Sequence, residues 1–268
     1  MRRSRITGFV TSLLLAVGLG LTGAASAQAS STAAAGGYVA LGDSYSSGVG
    51  AGSYISSSGD CNRSTKAFPY LWNAAHGPSS FTFAACSGAT TDDVLSTQLG
   101  SLDSSTSLVS LTVGGNDAGF ADVMTTCVLQ SDSSCLSRIN TAKAYVANTL
   151  PGKLDTVYNA ISAKAPYARV VVIGYPRFYL LGQSCLGLSE TKRSAINGAA
   201  DYIDDTIKAR ATAHNFVFGD VRGTFTGHEI CSGNSWLHSV NWLSIGESYH
   251  PTAAGQSGGY LPAFTGAA

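Results

Sequence analysis

The stretch Tyr38-Val39-Ala40-Leu41-Gly42-Asp43-Ser44-Tyr45-Ser46-Ser47-Gly48 decides the architecture that the sequence predicts. Four apolar residues end at a glycine, and an acidic residue, a serine and further small polar residues follow. This pattern is typical of a short buried strand that breaks into a tight turn. Open parallel sheets bind ligands at the carboxyl ends of their strands, so Ser44 is a candidate functional residue. A serine hydroxyl becomes a nucleophile only when a base removes its proton.

Further short apolar runs alternate with segments of helical periodicity along the chain. Strands are predicted at residues 38–41, 81–84, 108–113, 170–173 and 216–218. Helices are predicted at residues 91–99, at 138–164 with a break or bend at Pro151, at 189–214 and at 252–260. Strands that alternate with helices predict an α/β fold with a parallel sheet.

The composition limits the classes of partner that the chain can have. Lys and Arg total 16 and so do Asp and Glu, so no excess charge would attract nucleic acid or an anionic membrane. The low charged fraction of 12% and the many small residues suit an extracellular protein.

The amino-terminal stretch has the features of an export signal. Arg2, Arg3 and Arg5 precede an uncharged apolar run at residues 9–21, and A-x-A patterns follow. The run is shorter than the ~20 residues that span a bilayer, which favours a signal peptide over a membrane anchor. We therefore expect residues 1–34 to be the signal peptide, and residues 35–268 to form one domain of a secreted protein.

An even number of cysteines behind a signal peptide predicts disulfide bonds. The six residues are Cys61, Cys86, Cys127, Cys135, Cys185 and Cys231. Six cysteines allow ~15 pairings, and short loops close most easily, which favours the sequential pairs 61–86, 127–135 and 185–231. Zinc binding is disfavoured because no two cysteines have C-x-x-C spacing.

Three other segments supply partners for a serine nucleophile. Gly88 follows the second predicted strand and can present a backbone N–H to a ligand. Asn116 lies in the Gly-Gly-Asn-Asp turn after the third strand and offers an amide donor. His250 precedes Pro251, which predicts an extended residue just before a helix, with its imidazole free to project. A nucleophile, a base and oxyanion donors are together the set that acyl transfer requires.

Four ordered blocks of the sequence resemble the SGNH, or GDSL, hydrolase family. The blocks are Gly42-Asp43-Ser44, Gly88, Gly114-Gly115-Asn116-Asp117 and Tyr249-His250-Pro251. The chain is also similar to the secreted streptomycete lipases of that family, which are single-domain enzymes with three disulfides. The resemblance implies a flavodoxin-like three-layer sandwich with a five-stranded parallel sheet. It also implies that Ser44 is the nucleophile and that Ser44, Gly88 and Asn116 form the oxyanion hole.

The function expected from these observations is a secreted lipase or esterase that cleaves carboxylic esters of lipids, and the sequence leaves open whether it is a phospholipase. The expected catalytic residues are Ser44 and His250, with no cofactor and no metal. The expected partner is a small-molecule or lipid ester, with transient contact at a lipid interface, no nucleic acid and a monomeric chain. Alternatives are a carbohydrate-ester deacetylase and a non-catalytic binding protein on the same fold. The absence of G-x-S-x-G around Ser44 argues against the α/β-hydrolase fold.

The group that orients the histidine is left open by the sequence. Much of the family has aspartate three residues before the histidine, whereas this chain has Glu247. Glutamate can hold the Nδ1–H of His250 as the third member of a triad. A main-chain carbonyl of Glu247 or Ser248 can do the same, and we favour the carbonyl because the extra methylene displaces the carboxylate.

A group of large apolar residues precedes His250. It comprises Trp236, Leu237, Trp242, Leu243 and Ile245. These side chains either line an acyl pocket or pack within their own loop, and the sequence favours neither.

Overall fold

The structure is a computed structural model that describes residues 36–268, and a five-stranded parallel sheet forms its centre. The strands are β1 Gly37–Gly42, β2 Phe81–Phe83, β3 Thr106–Thr112, β4 Arg169–Ile173 and β5 Val217–Gly219. Their order across the sheet is β2-β1-β3-β4-β5, the flavodoxin-like order. The predicted α/β fold is confirmed, and each predicted strand is present with its ends shifted by at most two residues. The predicted signal peptide lies outside the described residues.

Helices connect the strands. They are α1 Ser44–Ser47, α2 Phe68–His76, α3 Thr91–Asp93, α4 Phe120–Leu129, α5 Asp132–Asn148, α6 Leu150–Lys164, α7 Glu190–Ala213 and α8 Leu261–Ala267. None of the helices within residues 36–268 has the length and apolar character to cross a membrane.

Several helix predictions require correction. The single helix predicted at residues 138–164 is two helices that meet at Thr149, and Pro151 lies in the first turn of α6, where its missing N–H costs nothing. The helix predicted at residues 252–260 is a π-helical turn, Gly255–Tyr260, that continues into α8. Helices α2 and α4 were not predicted.

The helices cover the sheet as two outer layers. Helices α5, α6 and α7 pack on one another, and α7 contacts β4 and β5. Helix α8 packs against α2 and contacts the same two strands. Because both faces are covered, the four side chains of β4 from Val170 to Ile173 are all buried. Burial of each such side chain contributes about 1.5–3 kcal/mol.

Three disulfide bonds link different elements and loops of the chain. The pairs are Cys61–Cys86, Cys127–Cys135 and Cys185–Cys231, which is the sequential arrangement. The second bridge links α4 to α5, and the first lies two residues before Gly88.

Candidate active site

Ser44 occupies the first turn of α1, at the carboxyl end of β1. Gly42 has a φ of +122°, and a side chain there would place its Cβ 2.4 Å from the Thr112 carbonyl oxygen, so only glycine fits. Asp43 then caps α1, because its Oδ1 accepts the Tyr45 N–H at 3.0 Å. The Thr112 hydroxyl donates to the same carboxylate oxygen at 2.6 Å. The strand end and the cap together fix the position of Ser44.

His250 meets Ser44 from the other end of the chain. Its Nε2 lies 2.7 Å from Ser44 Oγ. The histidine segment is held by the N–H of His238, which donates to the carbonyl of His250 at 3.0 Å. The Tyr45 hydroxyl, one residue after Ser44, donates to the carbonyl of Tyr249 at 2.8 Å. The nucleophile helix and the histidine loop are thus bonded directly to each other.

A main-chain carbonyl, and not Glu247, lies at the second nitrogen of His250. The Ser248 carbonyl oxygen is 3.1 Å from Nδ1. The Glu247 carboxylate instead accepts the Tyr54 hydroxyl at 2.7 Å. In this geometry the Glu247 carboxylate is bonded to Tyr54 and not to the ring, which favours the carbonyl over the candidate role of Glu247 as the orienting group.

The electrostatics of the ring suit a base. Burial lowers the pKa of His250 from its ordinary 6.5 to about 4, and the bond with Ser248 opposes this shift. The imidazole is consequently neutral at neutral pH. When Nδ1 donates its proton to the Ser248 carbonyl, Nε2 has a free lone pair directed at the Ser44 hydroxyl.

Three hydrogen-bond donors accompany the serine. The side-chain amide of Asn116 donates one hydrogen to the Ala89 carbonyl at 3.0 Å, which leaves its second hydrogen free. Within residues 36–268 the backbone N–H groups of Ser44 and Gly88 have no protein acceptor. Ser44 is the first residue of α1, where backbone N–H groups point out of the helix. Ser44, Gly88, Asn116 and His250 all line one cavity.

That cavity has a volume of about 570 Å³, and most of its wall is apolar. Residues of α4, α5 and α7 line it, among them Met124, Val128, Val146, Ile196 and Ile203. A cleft of this size and character is typical of a site for an apolar ligand.

The apolar residues that precede His250 divide between the two readings left open by the sequence. Trp242 and Ile245 line the cavity. Trp236 stacks on His228 at 3.5 Å between ring centroids, and Leu237 is buried in the core. Leu243 is fully exposed.

Tyr175 is a site residue that the sequence reasoning missed. Its hydroxyl donates to Asp43 Oδ2 at 2.6 Å and accepts the Gly115 N–H at 3.1 Å. Burial raises the pKa of Asp43 to about 6, and the bond from Tyr175 opposes that shift. Tyr175 follows the end of β4 by two residues, so the strand-end rule that selected Ser44 would also have selected it.

A comparison with known families identifies the class of this protein. The model of the GDSL-like Lipase/Acylhydrolase family matches residues 40–257. The chain belongs to that family. The relatives of this GDSL hydrolase include Lipase 1 of Streptomyces coelicolor, 75% identical over all 268 residues of both chains. A lipase of Streptomyces rimosus is 59% identical over the same length.

Solved structures agree with the fold. Phospholipase A1 from Streptomyces albidoflavus has a TM-score of 0.87 and 67% identity, and the match covers 88% of this chain and 100% of that one. The extracellular lipase from S. rimosus has a TM-score of 0.85 and 62% identity, with 87% and 100% covered. An acetylxylan esterase from Geobacillus stearothermophilus shares the fold alone, at 14% identity and a TM-score of 0.52 over 87% of this chain and 93% of that one. The predictions of family, fold and carboxylic ester hydrolase activity are confirmed.

Proposed function

We propose that this GDSL hydrolase cleaves carboxylic esters of lipids through an acyl-enzyme on Ser44, with His250 as the base. The observation that carries the proposal is the 2.7 Å contact between Nε2 of His250 and Oγ of Ser44 in the wall of a mainly apolar cavity. The relatives at 59% to 75% identity are lipases, and the relative of known structure at 67% identity is a phospholipase A1.

The chemistry follows from the protonation states of the two residues. Neutral His250 takes the hydroxyl proton of Ser44 as its oxygen attacks the ester carbonyl. The free N–H groups of Ser44 and Gly88 and the side-chain amide of Asn116 stabilise the developing oxyanion. His250 gives its proton to the leaving alcohol, and water then repeats both steps on the acyl-enzyme and releases the acid.

The shape of the cavity supports a lipid acyl chain over the small acyl group of a carbohydrate acetate. Apolar side chains of three helices form much of the cavity wall, and an acetyl group would leave most of its 570 Å³ unfilled. Hydrolysis of acetyl and long-chain p-nitrophenyl esters would separate the two classes of substrate.

We also propose that residues 1–34 are a signal peptide and that the mature protein is one secreted domain from residue 35 to 268. The basic start and the apolar run support export, and the S. rimosus relative is an extracellular lipase. The three disulfide bonds are consistent with an oxidising environment.

The test of the nucleophile is Ser44→Ala, with Ser47→Ala on the same helix as the matched control. Ser44→Ala removes the attacking oxygen, so we expect hydrolysis of a long-chain p-nitrophenyl ester and labelling by an organophosphonate to be lost. Ser47→Ala should retain both, because Ser47 Oγ only donates to the carbonyl of Ser44 at 3.3 Å. Retention of more than about a tenth of kcat by Ser44→Ala, with an unchanged melting temperature, would remove Ser44 from the role of nucleophile.

A further inference from the structure

Large apolar side chains are exposed together in one short loop. The rim loop, residues 240–246, carries Trp242, Leu243 and Ile245, whose exposed fractions are 70%, 100% and 62%. Single exposed apolar residues are ordinary on a soluble protein, but a contiguous group marks an interaction site. The rim loop is therefore a candidate surface for binding another molecule.

The rim loop adjoins the cavity that contains Ser44. Trp242 and Ile245 line that cavity although most of each side chain is exposed, so they lie at its opening. Leu129, at the end of α4, is 66% exposed and lines the same cavity from a second element. Leu243 lies beyond the opening, because it is fully exposed and is not part of the cavity wall.

The charge pattern defines the chemistry of the partner. The segment from Trp236 to Gly246 contains no Lys, Arg, Asp or Glu. The next residue, Glu247, is bonded to Tyr54. A surface that binds anionic headgroups would need cations in the rim loop, and the lysine of the cavity wall, Lys143, lies on α5 with its Nζ 5.3 Å from the ring centre of Tyr202. A tryptophan beside aliphatic side chains suits the boundary between water and lipid without net charge.

We propose that the rim loop inserts Leu243 and Trp242 into the surface of a lipid aggregate with no net charge, such as a phosphatidylcholine bilayer. An ester at that surface then passes directly into the cavity without crossing water. The proposal deepens the proposed function and rests on it, since a hydrolase of lipid esters meets its substrate at such a surface.

The experiment compares Leu243→Ser with Tyr167→Ser in the full chain. Tyr167 is 83% exposed and lies two residues before β4, at the amino edge of the sheet, opposite the active site. Binding to phosphatidylcholine vesicles is measured by flotation in the Ser44→Ala background, so that the lipid stays intact. Hydrolysis of the vesicle lipid and of a soluble short-chain p-nitrophenyl ester is measured with Ser44 present.

We expect Leu243→Ser to raise the lipid concentration for half-maximal binding about tenfold or more, because the loop loses a buried leucine at the lipid surface. Vesicle hydrolysis should fall with binding, and kcat/KM on the soluble ester should stay unchanged. Tyr167→Ser should change none of these quantities.

Three results would overturn the inference. One is unchanged vesicle binding by Leu243→Ser, and another is an equal loss of binding by Tyr167→Ser. The third is a lipid-free dimer, detected by light scattering, that dissociates in Leu243→Ser, which would assign the loop to a second copy of the chain. Failure of the unsubstituted protein to hydrolyse any soluble ester would instead refute the proposed function.

Discussion

At the scale of single residues, the histidine is oriented by a carbonyl that every residue type possesses. The Ser248 carbonyl accepts from Nδ1 of His250, so no side chain is required for this task. The carboxylate of Glu247 contributes only a weak field that raises the pKa of His250, against the larger lowering by burial. This arrangement makes the identity of residue 247 a minor factor in catalysis.

We therefore expect Glu247→Gln to lower kcat less than about tenfold, which is ~1.4 kcal/mol of barrier. Loss of the negative charge lowers the pKa of His250 further. We expect the acid limb of kcat/KM near pH 4 in the unsubstituted protein, and at lower pH in Glu247→Gln. The measurement is kcat and kcat/KM on one soluble ester across the acid pH range. A fall in kcat near the ~10⁴ measured for a broken serine-protease triad would show that the carboxylate orients the ring.

The sequence predicted Ser44 and His250 as nucleophile and base and favoured a carbonyl of Glu247 or Ser248 as the orienting group, but it left the Glu247 side chain open, and the reason is physical. Ser44 and His250 are marked by glycine, which permits a sharp turn, and by proline, which restricts the residue before it to extended backbone. The choice between Glu247 and the next carbonyl depends on where a three-bond side chain points. That direction is set by Tyr54, which lies 193 residues away in the chain.

At the scale of elements, Tyr175 joins the carboxyl ends of three strands. It lies just after β4, its hydroxyl contacts the Asp43 cap that follows β1, and it accepts from Gly115 after β3. Its backbone N–H donates to the buried carboxylate of Asp204 in α7 at 2.8 Å. The nucleophile turn and the turn that carries Asn116 are thus held by one hydroxyl.

We expect Tyr175→Phe to lower kcat about tenfold with little change in KM, because both turns lose a bond that positions them. Each buried group left unpaired should also cost ~1–3 kcal/mol of unfolding free energy. Steady-state kinetics and urea unfolding test both expectations.

Tyr158→Phe is the matched control for Tyr175→Phe. The Tyr158 hydroxyl is buried and has no hydrogen-bond partner within residues 36–268, so its removal should leave kcat unchanged and stability equal or higher. Reduced stability of Tyr175→Phe with full kcat would assign Tyr175 a structural role alone.

Helices α2 and α4 were missed for two different reasons. Helix α4 is apolar on most of its surface, because one side lines the cavity and another packs on α5. In α2, Pro69 resembles a helix breaker but lies in the first turn, where proline is favoured. The strands were predictable because burial on both faces requires continuous apolar runs such as β4.

At the scale of the whole molecule, one disulfide bond adjoins the candidate active site, and the other two do not. Cys86 lies two residues before Gly88, so its bridge to Cys61 holds an oxyanion donor in place. The Cys127–Cys135 bridge joins two helices, and the Cys185–Cys231 bridge closes the longest segment of chain. Stability and activity should therefore respond differently to the loss of each bridge.

Replacement of each cysteine pair by alanine tests this division. The bridges span 8, 25 and 46 residues. If loop closure in the unfolded chain dominates, loss of the bridges should cost ~2.5, ~3.5 and ~4 kcal/mol in that order. Only the loss of Cys61–Cys86 should also lower kcat, because only that bridge adjoins the oxyanion donors. Chemical unfolding and kcat on a soluble ester measure the two effects.

Alanine is the correct replacement because Cys127 and Cys135 are fully buried, and serine would add hydroxyls without partners to the core. Burial of Cys127 and Cys135 also means that their replacement could destabilise the protein through lost packing and not through chain entropy. If the 127–135 pair costs the most although it closes the shortest loop, native packing between α4 and α5 outweighs chain entropy. If all three pairs lower kcat equally, the bridges act through general stability, and the 61–86 bridge has no specific role in holding Gly88.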